Sequence, residues 1–167
     1  MIYLLDANVL IDANRDYYPL PRVPEFWDWL HFMAHNGDIK VALEVFEELV
    51  EGTDELSEWA RNQNNKEAIL LQEDAEPELI AQVIDDGYAN DLTDDEIEKL
   101  GRDPFLIAYA LANATERTIV TTENSKPAKQ RANRKVPDVC GQFGVECINT
   151  FELIRRLDFH TGWNNTK

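Results

Sequence analysis

Four acidic residues stand where this 167-residue sequence could do chemistry. Asp6 directly follows the apolar run Ile2–Leu5, and Glu44 directly follows Ile39–Leu43. Asp103 opens the apolar stretch Pro104–Leu111, and Glu123 lies just past Thr118–Thr121. The three short runs read as buried strands of a parallel sheet, and the stretch after Asp103 reads as a helix with proline in its first turn. In an open α/β sheet the carboxyl ends of the strands face the ligand crevice, so acids at those ends converge on one edge. Carboxylates that close repel one another unless protonated or neutralised. A hard divalent cation, Mg²⁺ or Mn²⁺, resolves this by taking carboxylate and water oxygens in octahedral geometry. Such a site activates water and stabilises charge during in-line displacement at phosphorus. Plainer readings stand beside this one. Asp6 and Asp103 suit helix caps, and Glu44 suits the positive end of a helix dipole.

The elements that would position these acids follow in order. Asn8 is placed to cap the turn after the first strand, before Val9, Leu10 and Ile11. Three prolines between Tyr17 and Pro24 predict a surface loop, whose two tyrosines either pack on the body or touch a partner. A helix from Pro24 should stop near Asn36-Gly37. His31 and His35 share one face of it at i, i+4, without the glutamate that an HExxH site requires. A helix over Val45–Val50 should turn Glu47, Glu48 and Glu51 to water, and the polar run from Asn62 to Asn65 reads as a loop. Gly87 should end a helix begun near Pro77, and Thr93 with Glu96 forms a capping box. A short strand at Val145–Ile148 precedes a last helix capped by Thr150. The expected fold class is α/β, a three-layer α/β/α sandwich around a short-stranded parallel sheet. Residues 1–160 form one domain and 161–167 a frayed tail.

Composition narrows the function classes. A 44% hydrophobic content suits a globular domain. No apolar run is long enough to span a membrane, and the amino terminus lacks a signal-peptide pattern. Two cysteines, Cys140 and Cys147, without CxxC or a neighbouring histidine cluster, argue against structural zinc or a disulfide framework. A cytoplasmic location is the expectation. The net charge of −16 would repel polyanions at long range. It is unevenly spread: residues 1–125 hold 8 Lys and Arg against 28 Asp and Glu, whereas residues 126–167 hold 8 against 4. Lys126, Lys129, Arg131, Arg134 and Lys135 fall in one window free of acids. It reads either as a solvated loop offsetting the acid surplus or as a contact for a phosphate backbone.

The segment Leu4-Leu5-Asp6-Ala7-Asn8-Val9-Leu10, with Glu44 after the second strand, Asp103 before an apolar helix, and Val120-Thr121-Thr122-Glu123, resembles the PIN-domain family of metal-dependent nucleases. The resemblance spans most of the chain, the middle helices matching in general character only. It implies that Asp6, Glu44 and Asp103 bind Mg²⁺ or Mn²⁺, and that groups near Asn8 and Thr121 support the cluster. Glu123 takes the place of the family's fourth acid, commonly aspartate. The Asp103 and Lys135-Val136-Pro137 segments look like the branch acting as toxins of type II toxin–antitoxin pairs. That implies an endoribonuclease, an RNA substrate and a cognate antitoxin covering the crevice.

Other functions compete with this expectation. A DNA-directed nuclease would use the same acids. A phosphatase with Asp6 as covalent nucleophile usually wants a second acid two residues on, where Asn8 stands. A PIN-like domain that works by binding a partner, with little or no nuclease activity, is the non-enzymatic alternative. The exposed-tyrosine loop also suits a homodimer contact.

Overall fold

In a computed structural model describing residues 1–166, four parallel strands form one sheet in the order β2-β1-β3-β4, with helices on both faces. Strand β1 is Ile2–Leu5, β2 Ile39–Lys40, β3 Arg117–Val120 and β4 Glu146–Ile148. This is the expected three-layer α/β/α architecture. Strand β1 lies between β2 and β3, and Leu4 and Leu5 are fully buried, as an unbroken apolar run with helices on both sides requires. Register brings Leu5 opposite Val120, and Val120 opposite Ile148. The residues after each strand therefore emerge in one row: Asp6, Thr121 and Asn149.

The first connection is helix α1, Ala7–Asp12, continuing as a π-helical turn over Ala13–Tyr17. Asp6, in extended conformation, precedes α1, and Asn8 lies inside the helix rather than capping it. The two tyrosines separate. Tyr18 stacks on Phe26 with ring centroids 4.4 Å apart, and its carbonyl accepts from the Trp27 indole at 2.7 Å; Tyr17 stays exposed. Helix α2, Pro24–Asn36, begins at its proline and ends at Gly37, whose φ of 90° is the left-handed conformation glycine adopts freely. It buries Phe26, Trp27, Trp29 and Leu30.

Strand β2 is shorter than Ile39–Leu43. Val41 makes one further parallel bridge to Leu70, and helix α3, Leu43–Glu51, has already begun. Helix α4 covers Glu55–Arg61. The polar run from Asn62 is not a loop, because Asn62 accepts from the amides of Asn64 and Asn65 and caps α5, Gln63–Ile69. Helix α6, Pro77–Gln82, passes into a π-helical turn, Val83–Tyr88, that carries the chain through Gly87 rather than stopping there.

The Thr93–Glu96 box opens α7, Asp94–Leu100, with both reciprocal bonds made. Helix α8, Asp103–Leu111, is buried continuously from Leu106 to Tyr109 and Ala110. The residue flanking its start is Arg102, so the Asp103 side chain caps nothing. Strand β3 starts one residue before the predicted Thr118. Arg117 can be buried there because its guanidinium donates to both carboxylate oxygens of Glu73 at 2.7 Å and to the Tyr109 carbonyl at 2.7 Å. Helices α9, Val136–Phe143, and α10, Thr150–Arg156, flank β4. Asn149, not Thr150, caps α10 by accepting from the Glu152 amide at 2.9 Å.

The chain end is packed rather than frayed as far as it is described. Trp163, 9% exposed, lies 5.2 Å from the Phe32 ring. Lys167, in the tail expected to fray, lies outside the described residues. Cys140 is buried, Cys147 half-buried, and both thiols are free. No described helix is long and apolar enough to cross a membrane.

Gly87 sits against α9, where a Cβ would come within 2.8 Å of Val139 and 2.9 Å of Phe143. Gly141, on the exposed face of α9, has open space at the same position. Gly87→Ala should destabilise the fold by about 1–3 kcal/mol through overpacking. Gly141→Ala should stabilise it by about 0.5–1 kcal/mol through helix propensity. Urea denaturation checks both, and equal effects of the two substitutions would contradict the packing assigned to Gly87.

Candidate functional site

The row of residues leaving β1 and β3 builds the site. The Asp6 amide donates to the Val120 carbonyl at 2.9 Å, which ties the acid to the neighbouring strand end. The Thr121 hydroxyl donates to Asp6 Oδ2 at 2.8 Å and accepts from the Glu123 amide at 3.2 Å. Asp6 is only 8% exposed. Burial pushes its carboxyl up, the Thr121 bond pulls it down, and the charge of Glu123 pushes it up again. Thr121 supports the acid through its hydroxyl, and Asn8, which also lines the cleft, supports it through its backbone amide, which with that of Ala7 bonds the Asp6 carboxylate and pulls it down.

Asp6, Glu48, Asp103 and Glu123 face one cleft. Asp103, first in α8, is carried up to about 7, chiefly by burial and then by the charges of Asp6 and Glu123, with Lys135 opposing and Glu48 adding. Glu48 is also raised, by partial desolvation and by Asp6. Glu123 is held from outside the cleft: Lys135 Nζ reaches its Oε1 at 2.6 Å, and the Val136 amide reaches its Oε2 at 2.9 Å.

Glu44 does not line this cleft, contrary to expectation. Its neighbour is Tyr109, whose hydroxyl burial and the Glu44 charge push up to about 12, and its Oε2 is buried without a hydrogen-bond partner among the described residues. The reason is helical rise. Strand β2 ends before Val41, α3 starts at Leu43, and the cleft lies one turn, about 6 Å, further along that helix. Glu48 stands at i+4 from Glu44 and so occupies the cleft. That spacing was available in the sequence, but Glu48 reads there as one more solvated acid of an acidic helix.

The basic window is redistributed. Arg131 bonds Glu96 at 2.8 Å and Asp91 at 2.6 Å, Arg134 bonds the Gly87 carbonyl and Gln142, and Lys135 is committed to Glu123. Only Lys126 and Lys129 of the five keep side chains without such partners among the described residues. The cations at the cleft are instead Lys99, which donates to Asn133 at 2.6 Å, and Arg102, which reaches Glu47 and Glu51 loosely at 3.6 and 3.7 Å. Neither was singled out in the sequence.

The donor set suits a hard cation by its chemistry: every acid in the cleft offers oxygen, and burial, with neighbouring acids adding to it, raises Asp6, Glu48 and Asp103. As the side chains stand, no three His, Cys, Asp or Glu groups among the described residues converge closely enough to ligate one ion. Asp6 and Asp103 would be the first to hold it, with Glu48 at the mouth.

Burial of Asp103 beside other acids has a consequence for stability. A carboxyl raised in the folded state favours folding below its unfolded value, near 3.8, and loses that contribution as pH rises through about 7. Each tenfold in proton affinity is about 1.4 kcal/mol. Asp103→Asn should therefore raise the melting temperature at pH 8 in the absence of divalent ions, with a smaller gain at pH 5. Thermal melts at the two pH values check this; an equal gain would show that the Asp103 carboxyl is not raised in the folded state.

A family described as a domain of unknown function (DUF4411) matches residues 3–161. No curated protein and no solved structure matches the chain. With the match running from β1 to beyond α10, the chain belongs to the DUF4411 family.

Proposed function

We propose that this chain is a Mg²⁺- or Mn²⁺-dependent endonuclease that hydrolyses phosphodiester bonds, with RNA as its substrate. The observation that carries the reading is the gathering of Asp6, Glu48, Asp103 and Glu123 in one cleft at the carboxyl edge of a parallel sheet. A hard divalent ion held by Asp6 and Asp103 would supply Lewis-acid activation of water and neutralise charge on the phosphoryl group. The protein's own groups prepare the site. Thr121 fixes one oxygen of Asp6, and Lys135 with the Val136 amide fixes Glu123. Asp103, carried up to about 7 in the ion-free site chiefly by burial, would be drawn down into its ionised, ligating form by the cation. Lys99 and Arg102 at the mouth offer positive charge to the phosphates of the strand.

RNA rather than DNA, and a role as the toxin of a type II pair, come from the PIN-domain resemblance. That resemblance also implies an antitoxin whose segment covers the cleft mouth. Glu48 serves here in the place the resemblance suggested for Glu44.

Cleavage of single-stranded RNA and DNA with and without Mn²⁺ tests the reading. RNA should be cut only with the metal, and Asp103→Asn should slow cutting by about a hundredfold or more. Cutting that survives chelation, or survives Asp103→Asn, would reject it. Mn²⁺ should also raise the melting temperature of the wild type, and Asp6→Asn should remove that gain. Lys99→Ala with Arg102→Ala should weaken RNA binding and lower the slope of log affinity against log salt by about 1.4. Arg131→Ala should leave that slope unchanged, because its guanidinium is spent on Asp91 and Glu96.

A further inference from the structure

Beside the acid cleft, on the same sheet edge, lies a pocket without a charged residue, formed by Tyr17, Thr122, Asn124, Asn149, Thr150 and Phe151. The register that pairs Val120 with Ile148 sets Thr121-Thr122 beside Asn149-Thr150, so this pocket and the cleft share one edge. A groove lies between the two and shares lining residues with each. Glu123 of the cleft also lines a groove with Asn124 and Asn149, and those two asparagines line the pocket.

Three properties of the pocket point to one kind of occupant. Tyr17 and Phe151 are 47% and 44% exposed, with ring centroids 5.4 Å apart and planes at 75°; each supports the other edge to face and still leaves aromatic surface open. Thr150 is only 5% exposed, and its Oγ1 has no hydrogen-bond partner among the described residues. That hydroxyl is idle because Asn149 performs the capping of α10. A buried hydroxyl without a bond is costly and uncommon, unless a ligand completes it. Finally, on a chain of net charge −16, an uncharged aromatic and amide lining repels a polyanion least. Aromatic surface with amide and hydroxyl groups around it is the chemistry that holds a nucleobase drawn out of its stack.

We propose that this pocket holds one unstacked base of the strand whose backbone crosses the acid cleft. The proposal rests on the nuclease reading and deepens it: the substrate is single-stranded nucleic acid. The base lies against the Tyr17 and Phe151 rings, and its polar edge bonds Thr150 Oγ1 and the asparagine amides. A paired duplex, whose bases are stacked on one another, has no base to offer.

The test is fluorescence anisotropy at low salt with a chelator present, so that no cleavage occurs. The probes are a short labelled single-stranded RNA and an abasic strand of the same length. Wild type should bind the RNA about tenfold tighter than the abasic strand. Tyr17→Ala with Phe151→Ala should abolish that preference, and Tyr17→Phe should retain it. Thr150→Val should weaken RNA binding while keeping or raising the melting temperature, because it removes an unsatisfied hydroxyl; a merely structural threonine would not move both readouts this way. Equal affinity of the wild type for the two strands, or no binding of either, would overturn the proposal and leave the aromatic pair to a protein partner's side chain. So would an unchanged preference in the double variant. The two readings fail separately. Mn²⁺-dependent cleavage without base preference removes the pocket alone, whereas base preference without cleavage removes the nuclease alone.

Discussion

The burial of several carboxylates together at the end of a parallel sheet, where each loses water and repels the next, is the constraint that shapes this molecule. Asp6 is pinned by its amide to the neighbouring strand and by its carboxylate to Thr121, so it cannot swing away from Asp103 and Glu123. The repulsion is tolerated because the elements that create it are also the most deeply buried. Leu4, Leu5, Ile119 and Val120 are fully enclosed, and so are Ile107 and Ala110 of α8. Apolar burial holds the strand ends and the start of α8 in place, and the acids are held there with them.

Basic residues serve this arrangement in two ways. Some are structural ties across an acidic surface: Arg117 joins β3 to Glu73, and Arg131 joins the loop after β3 to the first turn of α7. Glu96 is drawn down to about 2 by that guanidinium, first through their hydrogen bond, while also closing the capping box with Thr93. Others adjust the cleft. Lys135 bonds Glu123 from the outer side and at longer range also opposes the rise of Asp103. A cluster of cations counted along the chain therefore describes internal wiring more than a binding track.

The same economy governs the sheet edge beyond the acids. Asn149 caps α10 and thereby leaves the Thr150 hydroxyl unbonded in a wall shared with Tyr17 and Phe151. Three strands in register, with the connection that follows β3, place acids, amides and aromatic rings along one edge.

Much of this was legible in the sequence by itself. The runs Ile2–Leu5 and Thr118–Val120 are apolar or β-branched enough to be nothing but buried strands, Pro24 and Gly37 bound α2, and Thr93 with Glu96 announces α7, because these are local preferences of backbone and side chain. That Asp6, Asp103 and Glu123 would meet at one sheet edge was readable for the same reason, each sitting at the boundary of a recognisable element. Tertiary structure alone decided between Glu44 and Glu48, since both lie on one helix and only the docking of α3 settles which turn faces the cleft. It alone decided which of five neighbouring cations are free, because their partners, from Gly87, Asp91 and Glu96 to Glu123, come from segments distant in the chain or across a loop. Local chemistry names the elements; the pairing of charges depends on distances that exist only once the elements pack.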